Sequence, residues 1–515
     1  MSEAAIRDNN AQNALRAAQN TLFDFSFNRS VKLRGETQNV TPNGGVLLLR
    51  EVDHRLGLVN DVAQALFDPR QPHLVRYPLP ELLRERIYAF ALGYARQDDA
   101  DMLAHDPAFK TAVWGNPGQQ VADERLASQP TASRLISMLA PGPNREELRK
   151  AISLPILRHQ RSTKDRRVRL GVVDIDGFPI EVHGDQPGAG YNGYYKKSVY
   201  SPLSAYFTDG GTFDARLGEG VLHAQLRNGN ASAAEGAHAF IDEVIVKARE
   251  LAQTVDLRMD AGFAGADLLN HVHKAGVRFT VRLPDNAALD RLAKPFLRRP
   301  KGRPRKNGRE FAVELKGYRN PQWDEAYRVI LVVSDKPSKH GYMSLFGPHY
   351  FFLVTNWPRK SRRPAKILKH YRRRGTFEDR LGEWNALGVR LSQDSFDKNE
   401  AALLLSMLAF NLLEIIRGET ESARDSRPNP PHAPEDSGWD MGRIQNVLLK
   451  TGAVLSRGGR RLWFDLSKGL ASLWTPVLER IRRWRTIPDS GPAQTRRIGF
   501  MPLPSHAFQS YTPRL

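Results

Sequence analysis

The sequence predicts an α/β protein with a mixed β-sheet, a helical region before that sheet and a β-rich segment inserted late in it. Three observations lead to this fold class. Residues 45–155 carry apolar side chains at helical spacing, with Gly and Pro at the breaks. From residue 169 onward, short β-like runs alternate with helical stretches. The chain has 515 residues, which suits about two to four domains.

The N-terminal part divides in two. Residues 1–44 are polar and mixed in composition, so we expect a flexible arm. Residues 45–160 are predicted to form a helical domain, and apolar side chains recur on one helix face at Leu83, Ile87, Phe90 and Tyr94. Residues 128–135 offer a capped helix start. Two interpretations stay open here: a packed bundle, or a helix-turn-helix of the kind that reads nucleic acid.

The predicted sheet begins with the run 169–176. Further strands are expected at 179–183, 203–208, 220–227, 255–260 and 277–283, with helices at 233–251 and 265–275 between the later ones. This order of several strands, helix, strand, helix and strand is typical of a ribonuclease H-like sheet. We therefore predict a ribonuclease H-like core built from residues 165–285 and 365–418. Asp176 would lie on its first strand and Asp260 at the carboxyl end of a later strand, where open α/β sheets place their sites.

The segment 286–364 interrupts this core. Its β-like runs lie at 311–318, 326–333 and 350–354, so we predict an inserted β-rich subdomain. Helices are expected at 366–388 and 399–417. Residues 419–515 are predicted to be a linker and a basic C-terminal tail.

The charge of the chain indicates a polyanionic partner. Lys and Arg total 76 against 56 Asp and Glu, for a formal net charge of +20, and the pI is about 10.1. DNA, RNA and an anionic membrane surface all fit this charge. Basic residues cluster at 298–309 and 359–374 and in the tail, although such runs are often solvated faces.

The chain contains no cysteine, which excludes disulfide scaffolds, thiol nucleophiles and Cys-ligated zinc. The first residues lack a basic-then-apolar leader, and the apolar stretch 401–416 is interrupted and shorter than the roughly 20 residues a membrane span needs. We expect a soluble, cytoplasmic protein.

Three acidic residues could form one metal site. Asp176 and Asp260 end β-like runs, and Glu378 lies on a predicted helix among arginines. Mg²⁺ and Mn²⁺ prefer carboxylate oxygen, and two such ions about 3.5–4 Å apart support phosphodiester cleavage. Asp174 is an alternative first ligand, because residues two apart on a strand face the same side. The alternative is that the three residues are unrelated: the chain has 56 acidic residues, and a set of three selected from so many is weak evidence by itself.

An ordered series of motifs runs through the chain. It comprises Arg50-Glu-Val-Asp-His-Arg-Leu-Gly-Leu, Leu126-Ala-Ser-Gln-Pro-Thr-Ala-Ser-Arg-Leu, Asp174-Ile-Asp176 before His183-Gly184, Tyr191-Asn-Gly-Tyr-Tyr195, Leu226-Arg-Asn-Gly-Asn230, Arg258-Met-Asp260, and Tyr371-Arg-Arg-Arg374-Gly375 before Glu378. Over roughly residues 45–420 the series resembles the DDE transposases of bacterial insertion sequences, specifically the IS-thirteen-eighty-like group whose catalytic region is called transposase DDE domain group 1.

The resemblance implies roles for particular residues. Asp176, Asp260 and Glu378 would be the first, second and third catalytic carboxylates and would hold Mg²⁺ or Mn²⁺. Tyr371 and Arg374 keep the family spacing to Glu378, and Arg374 would hold a phosphate beside the metal. Gly382 and Asn385 stand where relatives carry lysines on that helix, and Arg373 or Arg380 would substitute for the missing phosphate contact. Phe178 and Ala261 replace the usual Thr and Ser.

Further DNA contacts are predicted at four positions. Trp323 stands where relatives carry a tryptophan that can stack on an unpaired base; a packed core tryptophan is the interpretation we favour. Arg303 and Arg305 lie in a Gly-Arg-Pro segment like a minor-groove hook, or in a solvated basic loop. His183 follows the first aspartate hairpin and could reach a phosphate.

The resemblance implies a cut-and-paste transposase that binds terminal inverted repeats, cleaves by metal-activated water and transfers the 3′ hydroxyl to target DNA, as a homodimer in the synaptic complex. It implies no small-molecule cofactor and no membrane. Two alternatives remain: a decayed copy that only binds DNA, and a ribonuclease H-like nuclease that cuts without joining.

Overall fold

The computed structural model describes residues 23–25, 28–33, 39–115, 124–164, 166–193, 196–210, 218–299, 308–337, 347–425, 438–458 and 461–485. The strands are β1 Phe23–Phe25, β2 Asn28–Leu33, β3 Val40–Thr41, β4 Val168–Gly177, β5 Ile180–Glu181, β6 Gly190–Asn192, β7 Lys197–Tyr200, β8 Leu203–Asp209, β9 Gly220–Gln225, β10 Ala252–Met259, β11 Arg278–Leu283, β12 Arg309–Leu315, β13 Arg328–Asp335, β14 His349–Thr355, β15 Ala453–Gly458 and β16 Arg461–Asp465.

The α-helices are α1 Val46–Leu56, α2 Leu58–Ala65, α3 Leu79–Ala91, α4 Asp99–Leu103, α5 Pro107–Trp114, α6 Gln129–Leu139, α7 Gly142–Ala151, α8 Leu154–Thr163, α9 Ala237–Leu251, α10 Ala266–Lys274, α11 Ala287–Leu297, α12 Pro364–Arg372, α13 Arg374–Trp384, α14 Phe396–Asp425, α15 Met441–Arg443 and α16 Lys468–Arg482. Together the strands and helices make the mixed α/β architecture that the sequence predicts.

One large mixed sheet organises the molecule. Its strand order is β12-β13-β14-β11-β10-β4-β8-β9. The central strand β10 runs parallel to both β4 and β11, while the other neighbours in the sheet pair antiparallel. Helices α9 and α10 connect the parallel strands and bury Phe240, Val244 and Leu269 against Val173 and Leu257 of the sheet. The carboxyl ends of β4, β10 and β11 therefore meet at one edge.

The β-rich segment expected as an inserted subdomain extends this same sheet. Strand β14 pairs with β11, and β13 and β12 follow outward from it. Apolar side chains of β13 and β14, among them Ile330 and Leu353, pack against Ile367 and Leu368 of α12. The described part of residues 286–364 is thus continuous with the core through backbone hydrogen bonds, and helix α12 rests directly on it.

The N-terminal helices share their hydrophobic core with a helix from the far end of the chain. Leu83, Ile87 and Phe90 of α3 are completely buried, in one cluster with Leu404 and Leu408 of α14. Local capping also shapes this region, since Asp106 accepts a hydrogen bond from the amide of Phe109 at the start of α5. Helix α6 begins after Ser128, but the Ser128 side chain makes no capping hydrogen bond. The packing favours the interpretation of a bundle closed by α14.

Helix α14 is long and apolar enough to cross a membrane over Phe396–Ala423, but its apolar window is wholly buried within the fold. It packs against α1, α3, α7, β9 and α16. The chain therefore uses this segment as a core helix.

The expectation of a linker and tail is wrong for residues 438–458 and 461–485. Strand β15 pairs with β16 and with β3 of the N-terminal segment. Helix α16 packs on α14 and buries Trp474, Val477 and Ile481. The composition of this region is basic, but apolar residues at helical spacing give it a face that the core covers.

Candidate active site

The sheet brings Asp176 and Asp260 to the same edge. In the parallel pair β4 and β10, Ile175 lies opposite Met259, so the next residues, Asp176 and Asp260, leave their strands side by side. Each carboxylate also accepts a nearby backbone amide: Asp176 from Gly177 at 2.9 Å and Asp260 from Gly262 at 2.9 Å. These local bonds are possible because both aspartates stand where a strand turns into a loop.

Helices α12 and α13 bring Glu378 to that edge. The Tyr371 hydroxyl of α12 donates a hydrogen bond to the carbonyl of Met259 at 3.3 Å, which ties the helix to the residue before Asp260. The chain turns at Arg373, and α13 begins at Arg374. Glu378 is one turn further along α13, and its side chain is 58% exposed.

One guanidinium connects the acidic groups. Arg374 donates from Nη1 to Oε1 of Glu378 at 2.6 Å and from Nη2 to Oδ2 of Asp176 at 2.5 Å. Its buried Nε has no hydrogen-bond partner among the described residues. Asp260 is also within electrostatic reach of Arg374. Residues from two strand ends and one helix therefore form a single cluster, which we call the acidic cluster: Asp176, Asp260 and Glu378.

The electrostatics of the cluster reflect the burial of Asp176 and the charges beside it. Burial raises the pKa of Asp176 to about 7; Arg374 opposes this shift, while Asp260 and Glu378 add to it. The pKa of Tyr371 is raised to about 12, first by burial. The negative charge of Asp260 and Glu378 beside Asp176 favours the arrival of an additional cation.

The donor chemistry of the acidic cluster fits a hard divalent cation, because all of its donors are carboxylate oxygens. In the arrangement described, however, no group of three or more His, Cys, Asp or Glu residues within the described ranges is spaced to hold a metal ion. Arg374 occupies the space between Asp176 and Glu378. A cation could bind there once that guanidinium turns away.

Asp174, the alternative first ligand, has a different environment. Its side chain is 1% exposed, and Arg258 of β10 binds both of its oxygens, Nε to Oδ1 at 2.7 Å and Nη2 to Oδ2 at 2.5 Å. Arg258 also donates from Nη1 to the carbonyl of His370 at 2.6 Å. This geometry does not support a metal-binding role for Asp174, because the buried pair is already matched; it joins β4, β10 and α12.

A second buried acid supports the same helix. Asp256 of β10 is fully buried, and its Oδ2 lies 2.6 Å from Nε2 of His370 and accepts a hydrogen bond from the indole of Trp357 at 3.0 Å. Arg362 stacks on the Trp357 ring at 3.8 Å from its centroid. Polar contacts of Asp256 with His370 and Trp357 therefore fix helix α12 and the segment before it to the sheet.

The loop motifs near Asp176 are explained by close packing. Arg227 donates to the carbonyls of Ser201, Ser232 and Glu235 and holds these loops beside Gly177. At Gly229 an added Cβ would approach the Val199 carbonyl oxygen to 1.9 Å, so only glycine fits there. His183 is exposed beyond β5, and no described contact joins it to the acidic cluster.

The predicted DNA contacts have mixed outcomes. Arg380 is buried and paired with Glu383 at 3.1 Å, so this geometry does not support the predicted DNA contact; its charge also interacts with those of Glu414 and Arg417. Arg373 is half-buried beside Arg258 and Arg362, and burial lowers its pKa. Arg303 and Arg305 lie outside the described residues.

Trp323 is 3% exposed and packs against Tyr318 and Tyr327 at ring-centroid distances of 5.8 and 5.3 Å. This burial agrees with the favoured interpretation of a core tryptophan. Its location between β12 and β13, in the hydrophobic cluster of the main sheet, leaves no exposed face on which a base could stack.

The positions that depart from the family pattern are accommodated easily. Phe178 packs edge-on against Trp384 at 5.7 Å between ring centroids. Gly382 and Asn385 are both exposed, and a Cβ at Gly382 would meet no described atom within 4 Å. A longer basic side chain would find open space at Gly382, so packing does not explain its absence there.

Two arginines at or behind the site had no role in the sequence prediction: Arg227 and Arg258. Arg258 carried a usable signal, because it stands two residues before Asp260 in a strand and so faces the same side. The partners of Arg227 are backbone carbonyls of distant loops, which no sequence pattern reveals.

The chain matches the family model described as transposase DDE domain group 1 over residues 23–486. Among solved structures it is similar to one reported as a cryo-EM structure of the piggyBac transposase synaptic complex with hairpin DNA, with 12% sequence identity, 78% of this chain and 79% of that chain covered, and a TM-score of 0.40. At that TM-score the likeness establishes neither fold nor function. No curated protein matches the chain.

Proposed function

The chain belongs to the transposase DDE domain group 1 family, and from this premise we propose that it cuts and joins DNA at the terminal inverted repeats of an insertion sequence. Within the family we place it in the IS-thirteen-eighty-like group, on the motif series of its sequence. The observation that carries the chemistry is the meeting of Asp176, Asp260 and Glu378 around one guanidinium at the carboxyl edge of the sheet.

We propose that these three carboxylates hold Mg²⁺ or Mn²⁺, as two ions shared among them. Bound there, such ions would acidify the attacking water or hydroxyl and neutralise charge on the phosphate.

The protein's own groups would position the DNA. Exposed cations lead along the chain into α13, at Lys360, Arg363, Lys366 and Lys369, and a row of this kind suits the phosphate backbone. Tyr371 fixes α12 to the strand that ends at Asp260. Arg374, released from the carboxylates, would be free to hold a phosphate beside them.

The core proposed for this chemistry is ribonuclease H-like. The strand order β9-β8-β4-β10-β11, with β4, β10 and β11 parallel and β8 antiparallel to its neighbours, supports that assignment. We propose that synapsis of the two element ends requires a homodimer.

A second candidate function is DNA binding without catalysis. The exposed Gly382 and Asn385, in place of the basic side chains usual in relatives, favour it. The nuclease alternative differs in outcome, since it would cut DNA but would not join a pre-cleaved end to a target.

The test is cleavage of a labelled duplex that carries the element's own terminal repeat, with Mg²⁺ or Mn²⁺. Wild type is compared with Glu378→Gln, and Asp379→Asn on the same exposed stretch of α13 is the matched control. We expect cuts at the repeat boundary by wild type and the control but none by Glu378→Gln. Binding without cuts by all three proteins would support the second candidate, and cuts without strand transfer would support the nuclease.

A further inference from the structure

A third side chain stands in line with the two aspartates. Strand β10 pairs in parallel with β11, and Met259 lies opposite Val281, as Ile175 lies opposite Met259 on the other side. The next positions on the three strands are Asp176, Asp260 and Arg282. Since residues in register on neighbouring strands face the same side of a sheet, Arg282 flanks Asp260 on the side opposite Asp176.

Six other arginines around the site already have partners. Each is engaged by a carboxylate or by backbone carbonyls, as follows: Arg374 by Asp176 and Glu378, Arg258 by Asp174, Arg362 by Asp256, Arg372 by Glu310, Arg380 by Glu383 and Arg227 by loop carbonyls.

Arg282 differs from all of these. Its side chain is exposed, and within the described ranges no hydrogen bond or ion pair engages its guanidinium. Its guanidinium carbon lies 5.5 Å from the centre of the Phe351 ring, an aromatic contact that orients the group without neutralising it. Its charge reaches the Tyr371 hydroxyl beside Asp260.

On these grounds we propose that Arg282 binds a DNA phosphate next to the cut, on the β11 side of the acidic cluster. A planar guanidinium held on an aromatic ring presents two N–H groups outward, which suits the non-bridging oxygens of a phosphodiester. The inference rests on the proposed function, because it assigns one contact within the same DNA-cutting site.

The experiment measures binding of the terminal-repeat duplex in the cleavage-deficient Glu378→Gln background, so that the DNA stays intact. Arg282→Ala and Arg282→Lys are compared with Arg278→Ala, an arginine on the same strand that lies near the Trp357 ring. We expect Arg282→Ala to weaken binding. The slope of log K against log salt concentration should become shallower by about 0.9, the contribution of one phosphate contact. Arg282→Lys should keep the salt dependence, and Arg278→Ala should leave both quantities unchanged.

A methylphosphonate scan then locates the contact. Neutral methylphosphonates replace the phosphates around the cut one at a time. At one position the substitution should weaken binding by the parent protein but not by Arg282→Ala, because the same interaction is already absent. Additive losses at every position, or an unchanged salt dependence, would overturn the inference while cleavage by wild type still supports the proposed function. If wild type neither binds nor cuts the duplex, the proposed function fails and this inference falls with it.

Discussion

Two aspartate–arginine pairs lie two residues apart on β4, and their surroundings are opposite. At the inner position Asp174 and Arg258 are 1% and 4% exposed, and each carboxylate oxygen meets one guanidinium nitrogen. At the outer position Arg374 serves both Asp176 and Glu378, with Asp260 nearby. The same two residue types thus complete the fold in one place and leave unbalanced negative charge in the other, and that imbalance is what a site for cations requires.

Replacing the inner arginine should destabilise the protein much more than replacing the outer one. Arg258→Ala should lower the free energy of unfolding by about 3–5 kcal/mol, because it leaves the Asp174 carboxylate buried without its partner. Arg374→Ala should cost about 1 kcal/mol or less, since its carboxylates lie nearer to solvent and Asp176 can take up a proton. Urea unfolding of both variants at neutral pH measures this difference, and equal losses would contradict the distinction between an inner and an outer pair.

A third buried acid shows what burial does to a carboxylate that has no arginine bound to both of its oxygens. Glu85 of α3 is 7% exposed among apolar side chains such as Leu82 and Leu135. Its Oε1 has no hydrogen-bond partner in the described part of the chain. Burial raises the pKa of Glu85 to about 8.

Because the pKa in the folded protein exceeds that of the unfolded chain, the folded protein binds the extra proton, and stability falls as pH rises from about 4.5 to 8. Glu85→Gln should remove this loss and so stabilise the protein more at pH 8 than at pH 5, by on the order of 3 kcal/mol. Thermal or urea unfolding at the two pH values measures it. Glu51→Gln in α1, whose carboxylate pairs with Arg55, is the control and should show no such difference.

The outer pair makes a prediction about metal affinity. Arg374→Ala should bind Mn²⁺ more tightly than wild type in the absence of DNA, by about tenfold, because the guanidinium no longer competes for Asp176 and Glu378. Isothermal titration calorimetry with Mn²⁺ alone measures this. Arg372→Ala, which removes a neighbouring arginine paired with Glu310, should leave the affinity unchanged; a weaker affinity in Arg374→Ala would show that the arginine supports the metal site instead.

The smallest effect concerns the exposed face of α13 and the turn after it. Asn385→Lys should steepen the slope of log K for DNA binding against log salt concentration by about 0.9, the contribution of one additional phosphate contact. Filter binding of the terminal-repeat duplex at several salt concentrations measures the slope. Arg390 is exposed after the turn. Arg390→Ala removes this cation and is the comparison; we expect it to change the slope less. An unchanged slope in Asn385→Lys would place this surface away from DNA.

Local patterns predicted much of this arrangement. The motif series predicted the family, and the match over residues 23–486 confirms it. The ends of β4 and β10 and the spacing of Tyr371, Arg374 and Glu378 were also evident from the sequence, because strand alternation and helix periodicity act over a few residues.

What the sequence did not reveal depends on distant partners. Arg380 is buried and pairs with Glu383, which also binds Arg417 of the distant helix α14. The strands after α11 join the main sheet through the pairing of β14 with β11. The C-terminal strands are held by the pairing of β15 with β3, a segment more than 400 residues earlier. Such long-range pairings leave little trace in local composition.

Helix α14 has a consequence for how such proteins can be recombined. It fills the core of the N-terminal helices from a position more than 200 residues downstream, and it packs on β9 and α16 as well. A chimera that exchanged residues 45–160 alone would pack N-terminal helices from one protein against helix α14 from another. Whether by evolution or by engineering, the N-terminal helices can be replaced only together with α14, so the parts of this molecule are inherited as a set.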